Sequence, residues 1–248
     1  MTTNTQILIG IDDTDNLETH GTGRRARQLG EMLAADGLAE VDGITRHQLL
    51  IDPRIPYTSH NSSACLLVRT TDDRLPDLIA AARWFLLRES APGSDAGLCV
   101  ADRSQITVAQ QDFGQRAKRE VLTLDQARDC AQRAGLTLEE LTGTGGGIIG
   151  ALAAVGLRAS GNDGRFLWLK GIRDVSGVYT VEQLRQTIPI DAVQTIEGAE
   201  IPQSDRVELG PWIRPLLKSS SAVLLVEPVN ESHRWRVVEK ERIKQLSS

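Results

Sequence analysis

Two hydrophobic periods alternate along this chain. Near the start, Ile7-Leu8-Ile9-Gly10-Ile11 is an unbroken apolar run, which predicts a short buried strand. Polar residues and glycines follow, and then Ala26, Leu29, Leu33 and Leu38 recur at helical spacing, so residues 24–38 read as a helix. Residues 41–51 and 64–68 read as strands. Pro53 and Pro56 between them exclude regular structure, so residues 54–61 form a shaped loop. Leu75, Leu78, Ile79, Ala82 and Leu86 mark one face of a helix over 75–87, with Pro76 in its first turn. A short strand is expected at 98–101.

The pattern continues with two helices. Residues 104–121 are mixed in character. Residues 123–134 open on a capping box, Thr123 with Gln126, and stop at Gly135. A second box, Thr137 with Glu140, predicts a short turn. Residues 142–156, TGTGGGIIGALAAVG, are a glycine-rich loop feeding an apolar helix. From Ala159 the texture changes. The turn GNDG at 161–164 precedes a strand at 165–172. A short helix at 180–186 carries its own box, Thr180 with Gln183. Short strands are expected at 191–196, 206–209, 222–226 and 235–238. The fold class is α+β (mixed α/β), with a larger part over 1–160 and a smaller β-rich unit over 161–248.

Composition narrows the class. The 248 residues are 40% hydrophobic and 25% charged, as in a soluble globular protein. A net charge of −5 argues against a broad nucleic-acid face, although a local basic patch remains compatible with it. The three cysteines, Cys65, Cys99 and Cys130, form no CxxC pair, so structural zinc is not indicated. Residues 1–6 are polar, and no apolar run is long enough to span a membrane. The expected location is the cytoplasm.

Candidate chemistry gathers in a few stretches. Asp12, Asp13 and Asp15 follow the first strand directly, where open α/β sheets place ligands. Three close carboxylates repel unless a cation neutralises them, which suits Mg²⁺ held together with phosphates. The alternative is an acidic turn whose Asp side chains cap the next helix. Gly21, Thr22 and Gly23, followed by Arg24, Arg25 and Arg27, put glycines and basic groups at a helix start, where a phosphate can be received; a solvated basic face is the other reading. The loop with Arg54, Tyr57, Thr58, Ser59, His60 and Asn61 is dense in donors and could bind substrate. His20 and His60 give only a weak metal-ligand signal. Gly143, Gly145, Gly146 and Gly147 allow backbone N–H groups to surround an anion at a helix N-terminus, or serve as a flexible connection. They match neither a Walker A motif nor GxGxxG after a strand. Asp163, Arg173 and Asp174 could face that loop as substrate residues, with Arg214 a further polar candidate.

Three segments carry a resemblance. GIDDTDN with its glycine turn, IDPRIPYTSHNSSA, and GTGGGIIGALAAVG occur in the order of three motifs of the archaeal tRNA-isoleucine agmatidine synthetases. The first and third matches are specific and the middle one is looser; together they span the first two-thirds of the chain. The resemblance implies a kinase-like domain that uses ATP and Mg²⁺ to phosphorylate a cytidine before agmatine attacks. By that resemblance, Asp12, Asp13 and Asp15 would serve metal and phosphate, Asn61 would line the nucleotide site, and Gly145, Gly146 and Gly147 would hold phosphate.

The departures are as informative. Where the family has cysteine-threonine-threonine after its first motif, this chain has Gly23-Arg24-Arg25, so the family's phosphorylated threonine has no counterpart. The family's lysine-threonine-arginine is here Thr58-Ser59-His60. The longer enzymes carry a nucleic-acid-binding fold and a zinc ribbon, for which this chain has no cysteine pairs. The implied function is ATP- and Mg²⁺-dependent phosphoryl transfer or ligation on an unidentified small-molecule or nucleoside acceptor, with only weak tRNA binding. The competing class is a non-catalytic nucleotide-binding or regulatory homologue.

Overall fold

In the computed structural model of the chain, residues 4–56, 60–229 and 233–247 are described. The first strand, β1 (Asn4–Asp12), lies between β3 (Ser62–Thr71) and β4 (Gly97–Asp102) in a mixed sheet, antiparallel to both. β2 (Glu40–Gln48) pairs with the far side of β3, with a register shift between Val41 and Gly43. β5 (Thr137–Glu140) closes the β4 edge. Strand alternation sorts the side chains of β1. Ile7, Ile9 and Ile11 face one side, where they pack with Leu29 and Leu33 of α1 (Thr22–Ala35) and Leu78 and Leu86 of α2 (Leu75–Glu89). Leu8 faces the other side, towards α5 (Gly147–Ser160), α3 (Val108–Ala117) and α4 (Leu124–Arg133).

α5 is apolar on nearly all of its surface and is buried from Gly147 to Arg158 except at Ile149. Such a helix needs partners all round. It lies directly on β1 and β4, and glycines set the distance. A Cβ on Gly10 would sit 2.0 Å from the Ala151 carbonyl oxygen, and one on Gly97 would sit 2.2 Å from the Gly147 carbonyl carbon. On its outer side, a Cβ on Gly156 would meet the Gln110 carbonyl oxygen of α3 at 2.0 Å.

The chain then enters β6 (Arg165–Trp168), which pairs with β2 and extends the same sheet past residue 160. Leu167 of β6 belongs to the core beneath α1. Beyond it come β7 (Gly177–Thr180), α6 (Val181–Thr187), β8 (Ala192–Gln194) and β9 (Arg206–Leu209). β10 (Leu216–Lys218), β11 (Ser221–Pro228), β12 (Arg234–Val237) and α7 (Lys240–Leu246) complete the described chain. The strand order is β5-β4-β1-β3-β2-β6-β10-β11-β12-β9-β7, with β8 parallel to β11. These later strands enclose a separate cluster that includes Phe166, Leu184, Val207, Leu224 and Val226.

The mixed α/β class and most elements follow the sequence pattern, and both capping boxes at Thr123 and Thr180 form. The third box does not. Thr137 and Glu140 are the ends of β5, because pairing with β4 satisfies that backbone better than one isolated helical turn. The strand expected over 165–172 ends at Trp168, before the turn that contains Gly171 at φ 76°.

The glycine contacts predict a stability pattern. Gly10→Ala should lower unfolding free energy by about 2 kcal/mol or more, because backbone on both sides resists the added methyl. Gly210→Ala, where nothing lies within 4 Å of an added Cβ, should change it by less than about 0.5 kcal/mol. Urea unfolding of the two variants checks this; equal effects would show that α5 can lift without cost.

Candidate functional site

β1 ends at Asp12, and the backbone turns there because Asp13 takes a left-handed conformation, φ 49°. Non-glycine residues adopt it rarely, although Asp is among the more tolerant. Asp12 shares the Leu8 and Gly10 side of the strand, not that of Ile9 and Ile11. Its carboxylate lies against the first turn of α5, where a Cβ on Gly150 would stand 1.7 Å from Oδ2. Gly150 therefore makes room for the carboxylate. Asp15 accepts from the Thr22 backbone amide at 3.0 Å and the Thr22 hydroxyl at 2.8 Å, holding the start of α1.

These residues border a cleft of about 340 Å³, within the range of small-ligand sites. Its lining includes Asp12, Asp13, Asp15 and Thr22, the loop residues Gly146 and Gly147, and Arg54, His60 and Asn61. Leu49, Ile55, Val121, Leu122 and Ile149 supply its apolar surface. Asn61 is fixed by its own loop, donating from Nδ2 to the Leu50 carbonyl at 2.6 Å. Arg54 is paired with Asp52 at 2.8 Å. Tyr57 lies outside the described residues.

The cleft also contains Asp95, which the sequence pattern places only within a turn. Its carboxylate accepts from the Thr144 backbone amide and hydroxyl, and its carbonyl accepts from the Gly147 amide at 3.0 Å. The signal available was an acid two residues ahead of a strand, in a glycine- and proline-rich turn. It gains meaning only through the antiparallel pairing of Asp12 with Gly97. Arg46 of β2 is a second residue that sequence reasoning missed; its charge acts on Asp12.

Three groups of expected residues are placed as follows. First, among the described residues, no group of three His, Cys, Asp or Glu side chains is gathered to hold a metal ion. Asp15 is bonded to Thr22 and Asp12 lies against Gly150, and both border the cleft beside Asp13. Second, the glycine loop does not present a full set of free donors. The amides of Thr144, Gly147, Ile148 and Ile149 donate within the protein. Gly145 itself packs on Glu140 with φ 83°, while Gly21 and Gly23 shape the α1 start rather than the cleft; Gly23 is closed in by Leu167. Third, Asp163 and Arg173 do not face the loop. Asp163 is buried, bonded to His47 Nδ1 at 2.9 Å and to Lys118. His47 Nε2 in turn meets Thr45 Oγ1 at 2.8 Å. That network ties β2, α3 and the turn after α5 together. Arg173 lines a different cavity.

Electrostatically the carboxylate wall is strained. Burial pushes the Asp12 carboxyl up to about 8, with repulsion from Asp13 and Asp15 adding and Arg46 opposing. Burial and the charges of Asp95 and Asp15 push Asp13 up to about 6. Like charges at this density favour a cation or a shared proton.

No protein-family model matches the chain. Individual relatives do. TiaS from Pyrococcus horikoshii, a 2-agmatinylcytidine synthetase acting on an isoleucine tRNA, is 28% identical over 60% of this chain and 35% of its own length. The chain is similar to the tRNA-isoleucine agmatidine synthetases. TiaS of Cenarchaeum symbiosum is 26% identical over 71% of this chain and 42% of its own. An uncharacterized protein of Methanocaldococcus jannaschii is 27% identical over 61% of this chain and 50% of its own. The crystal structure of TiaS with its isoleucine tRNA and ATP superposes with a TM-score of 0.54 and 26% identity, over 61% of this chain and 36% of that one. TiaS with the same tRNA, AMPCPP and agmatine gives 0.53 and 27%, with the same coverage. The chain thus spans between about a third and half of the length of these relatives. Among the described residues, no helix is long and apolar enough to cross a membrane.

The raised carboxyls predict a pH dependence. Folded Asp12 keeps its proton up to about pH 8, whereas the unfolded group releases it near 3.8. Its contribution to stability is therefore complete below pH 3.8 and is lost as pH rises through 8. Asp12→Asn should flatten that decline and stabilise the ligand-free protein at pH 8.5 by about 1–3 kcal/mol, at about 1.4 kcal/mol per unit of displacement. Melting curves of both proteins between pH 4.5 and 8.5 check it. Parallel curves would mean that Asp12 is not displaced.

Proposed function

We propose that this chain binds ATP with Mg²⁺ in the carboxylate cleft and uses it for ligase-like activation of an acceptor. One observation carries the reading: an acidic strand end and the positive end of the α5 dipole meet in a single cleft with apolar surface. Support comes from two solved TiaS structures, one with its isoleucine tRNA and ATP and another with the tRNA, AMPCPP and agmatine.

The donor set fits the metal. Mg²⁺ takes hard oxygens and commonly one or two carboxylates beside phosphate oxygens, so it does not need a preformed three-carboxylate cage. Asp12 and Asp13 would hold it, relieving the repulsion that raises both carboxyls. When bound, the metal would supply charge neutralisation at the phosphates. Thr22, Arg54, His60 and Asn61, which line the same cleft, would position the nucleotide. The Gly145 and Gly146 amides and the α5 dipole would add weaker attraction for phosphate. Asp15 would act through Thr22, as a positioning residue. In phosphoryl chemistry, positioning and electrostatics supply most of the rate. The acceptor would be a small molecule or a nucleoside, and tRNA association would be weak and salt-sensitive, on the order of 10⁻⁴–10⁻⁶ M.

A non-catalytic nucleotide-binding role is favoured by one observation, the Gly23-Arg24-Arg25 sequence in place of the family's threonines. Binding is common to both readings and is tested first. Calorimetry should give magnesium-dependent ATP binding that Asp13→Asn reduces at least tenfold while the apo fold is retained. Absence of heat at millimolar ATP, or unchanged binding in single Asn variants at Asp12, Asp13 and Asp15, would contradict the proposal. Turnover of ATP alone or with RNA would then separate enzyme from binder.

A further inference from the structure

A second cavity, of about 510 Å³, shares no lining residue with the carboxylate cleft. It opens where the loop after β6 meets the segment before β10. Among the described residues, its lining includes two cationic side chains, Arg173 and Arg214, and no acidic one. Arg214 is half-buried. Its guanidinium lies 5.1 Å from the centroid of the Trp212 ring, and Nη1 donates to the Ile213 carbonyl at 2.7 Å. These contacts fix the fork in place without neutralising it. Arg173 is exposed at the rim.

A third cation stands close by. Arg27 is half-buried on α1 and donates from Nη1 to the Gly23 carbonyl at 2.9 Å. Gly23 packs on Leu167 of β6, the strand that leads into the segment carrying Arg173. Repulsion from Arg173 acts on Arg27 more strongly than the attraction of Glu31. Burial, with added repulsion from Arg173 and Arg27, pushes the Arg214 guanidinium down to about 10. Some other arginines have carboxylate partners, Arg69 with Asp42, Arg83 with Glu139 and Arg128 with Glu140, whereas buried Arg165 bonds to the Ser247 hydroxyl. Among the described residues, no carboxylate lies within ion-pair distance of Arg27, Arg173 or Arg214.

Gathering cations in partial burial is costly unless an anion joins them. Two planar forks and a third charge exceed what a single carboxylate neutralises, and guanidinium geometry matches phosphate oxygens bidentately. We propose that this cavity binds a phosphate ester, gripped by the Arg173 and Arg214 guanidinium groups, with the charge of Arg27 adding to the attraction. The site does not depend on the ATP reading of the other cleft. The ester belongs either to a small phosphorylated molecule or to a nucleic-acid backbone, and the test separates these sources.

The experiment uses the full chain, with phenylglyoxal labelling of arginines mapped by mass spectrometry. The probes are uridine 5′-monophosphate, uridine, and a short oligouridine with a 5′-hydroxyl. The expected result is that the monophosphate, the oligonucleotide, or both slow labelling of Arg173 and Arg214 at least threefold, while uridine does not. Protection by the monophosphate alone identifies a small ligand, and stronger protection by the oligonucleotide identifies a backbone. Arg173→Ala removes an exposed side chain outside any ion pair and should fold normally, yet weaken binding of the protecting probe by roughly tenfold. Arg88→Ala, an exposed arginine over Trp84, should leave it unchanged. Protection by no probe, equal protection by uridine, or full binding by Arg173→Ala would overturn the proposal.

Discussion

The contact on which the rest depends is the direct packing of α5 on β1 and β4. Gly10 and Gly97 on the strands, with Gly147 and Gly150 on the helix, let backbone meet backbone. Side chains at those positions would hold the helix further out. At ordinary helix–sheet spacing, the N-terminus of α5 would stand clear of the strand ends. Here it meets Asp12 and the Asp95 carbonyl instead. The same contact that completes the core therefore places the positive end of a helix dipole beside a row of carboxylates.

Charge is distributed unevenly around this framework. The carboxylates of Asp12, Asp13 and Asp95 border one cleft, and Arg27, Arg173 and Arg214 gather near the other cavity. A net charge of −5 averages over both and reports neither. Apart from both stands the buried network of Asp163, His47 and Lys118. In Asp163, burial opposes ionisation, but the bonds from His47 and Lys118 prevail and hold the carboxyl below its usual range. Its satisfied, enclosed geometry suits a structural tie across β2, α3 and the start of β6, in contrast to the raised carboxyls of the cleft.

Legibility in the sequence followed the range of the forces involved. β1, α1, α2, α4 and α6 were readable because period and capping act within a few residues. β5 was misread because its capping-box letters are locally plausible and its strand state depends on β4, distant in sequence. β7, β10 and α7 were missed for a similar reason: each is short and is specified by neighbours rather than by its own pattern. Asp12 and Asp13 could be singled out from sequence because they adjoin a strong strand signal. Asp95 and Arg46 could not, since each joins the cleft through strand pairing. Asp163 looked like a ligand-facing acid in a turn; only the fold shows it capped by His47 and Lys118.

On the proposed function, the α5 contact with β1 builds a nucleotide site at the helix start. Amide NMR of the full chain tests it most directly, read at Gly145 and Gly146 during addition of ATP with Mg²⁺. The expected result is that these two amides shift and gain exchange protection, and that chelating the metal reverses both changes. Saturable ATP binding that leaves Gly145, Gly146 and the Asp12 and Asp13 amides unmoved would contradict it, because the nucleotide would then sit elsewhere.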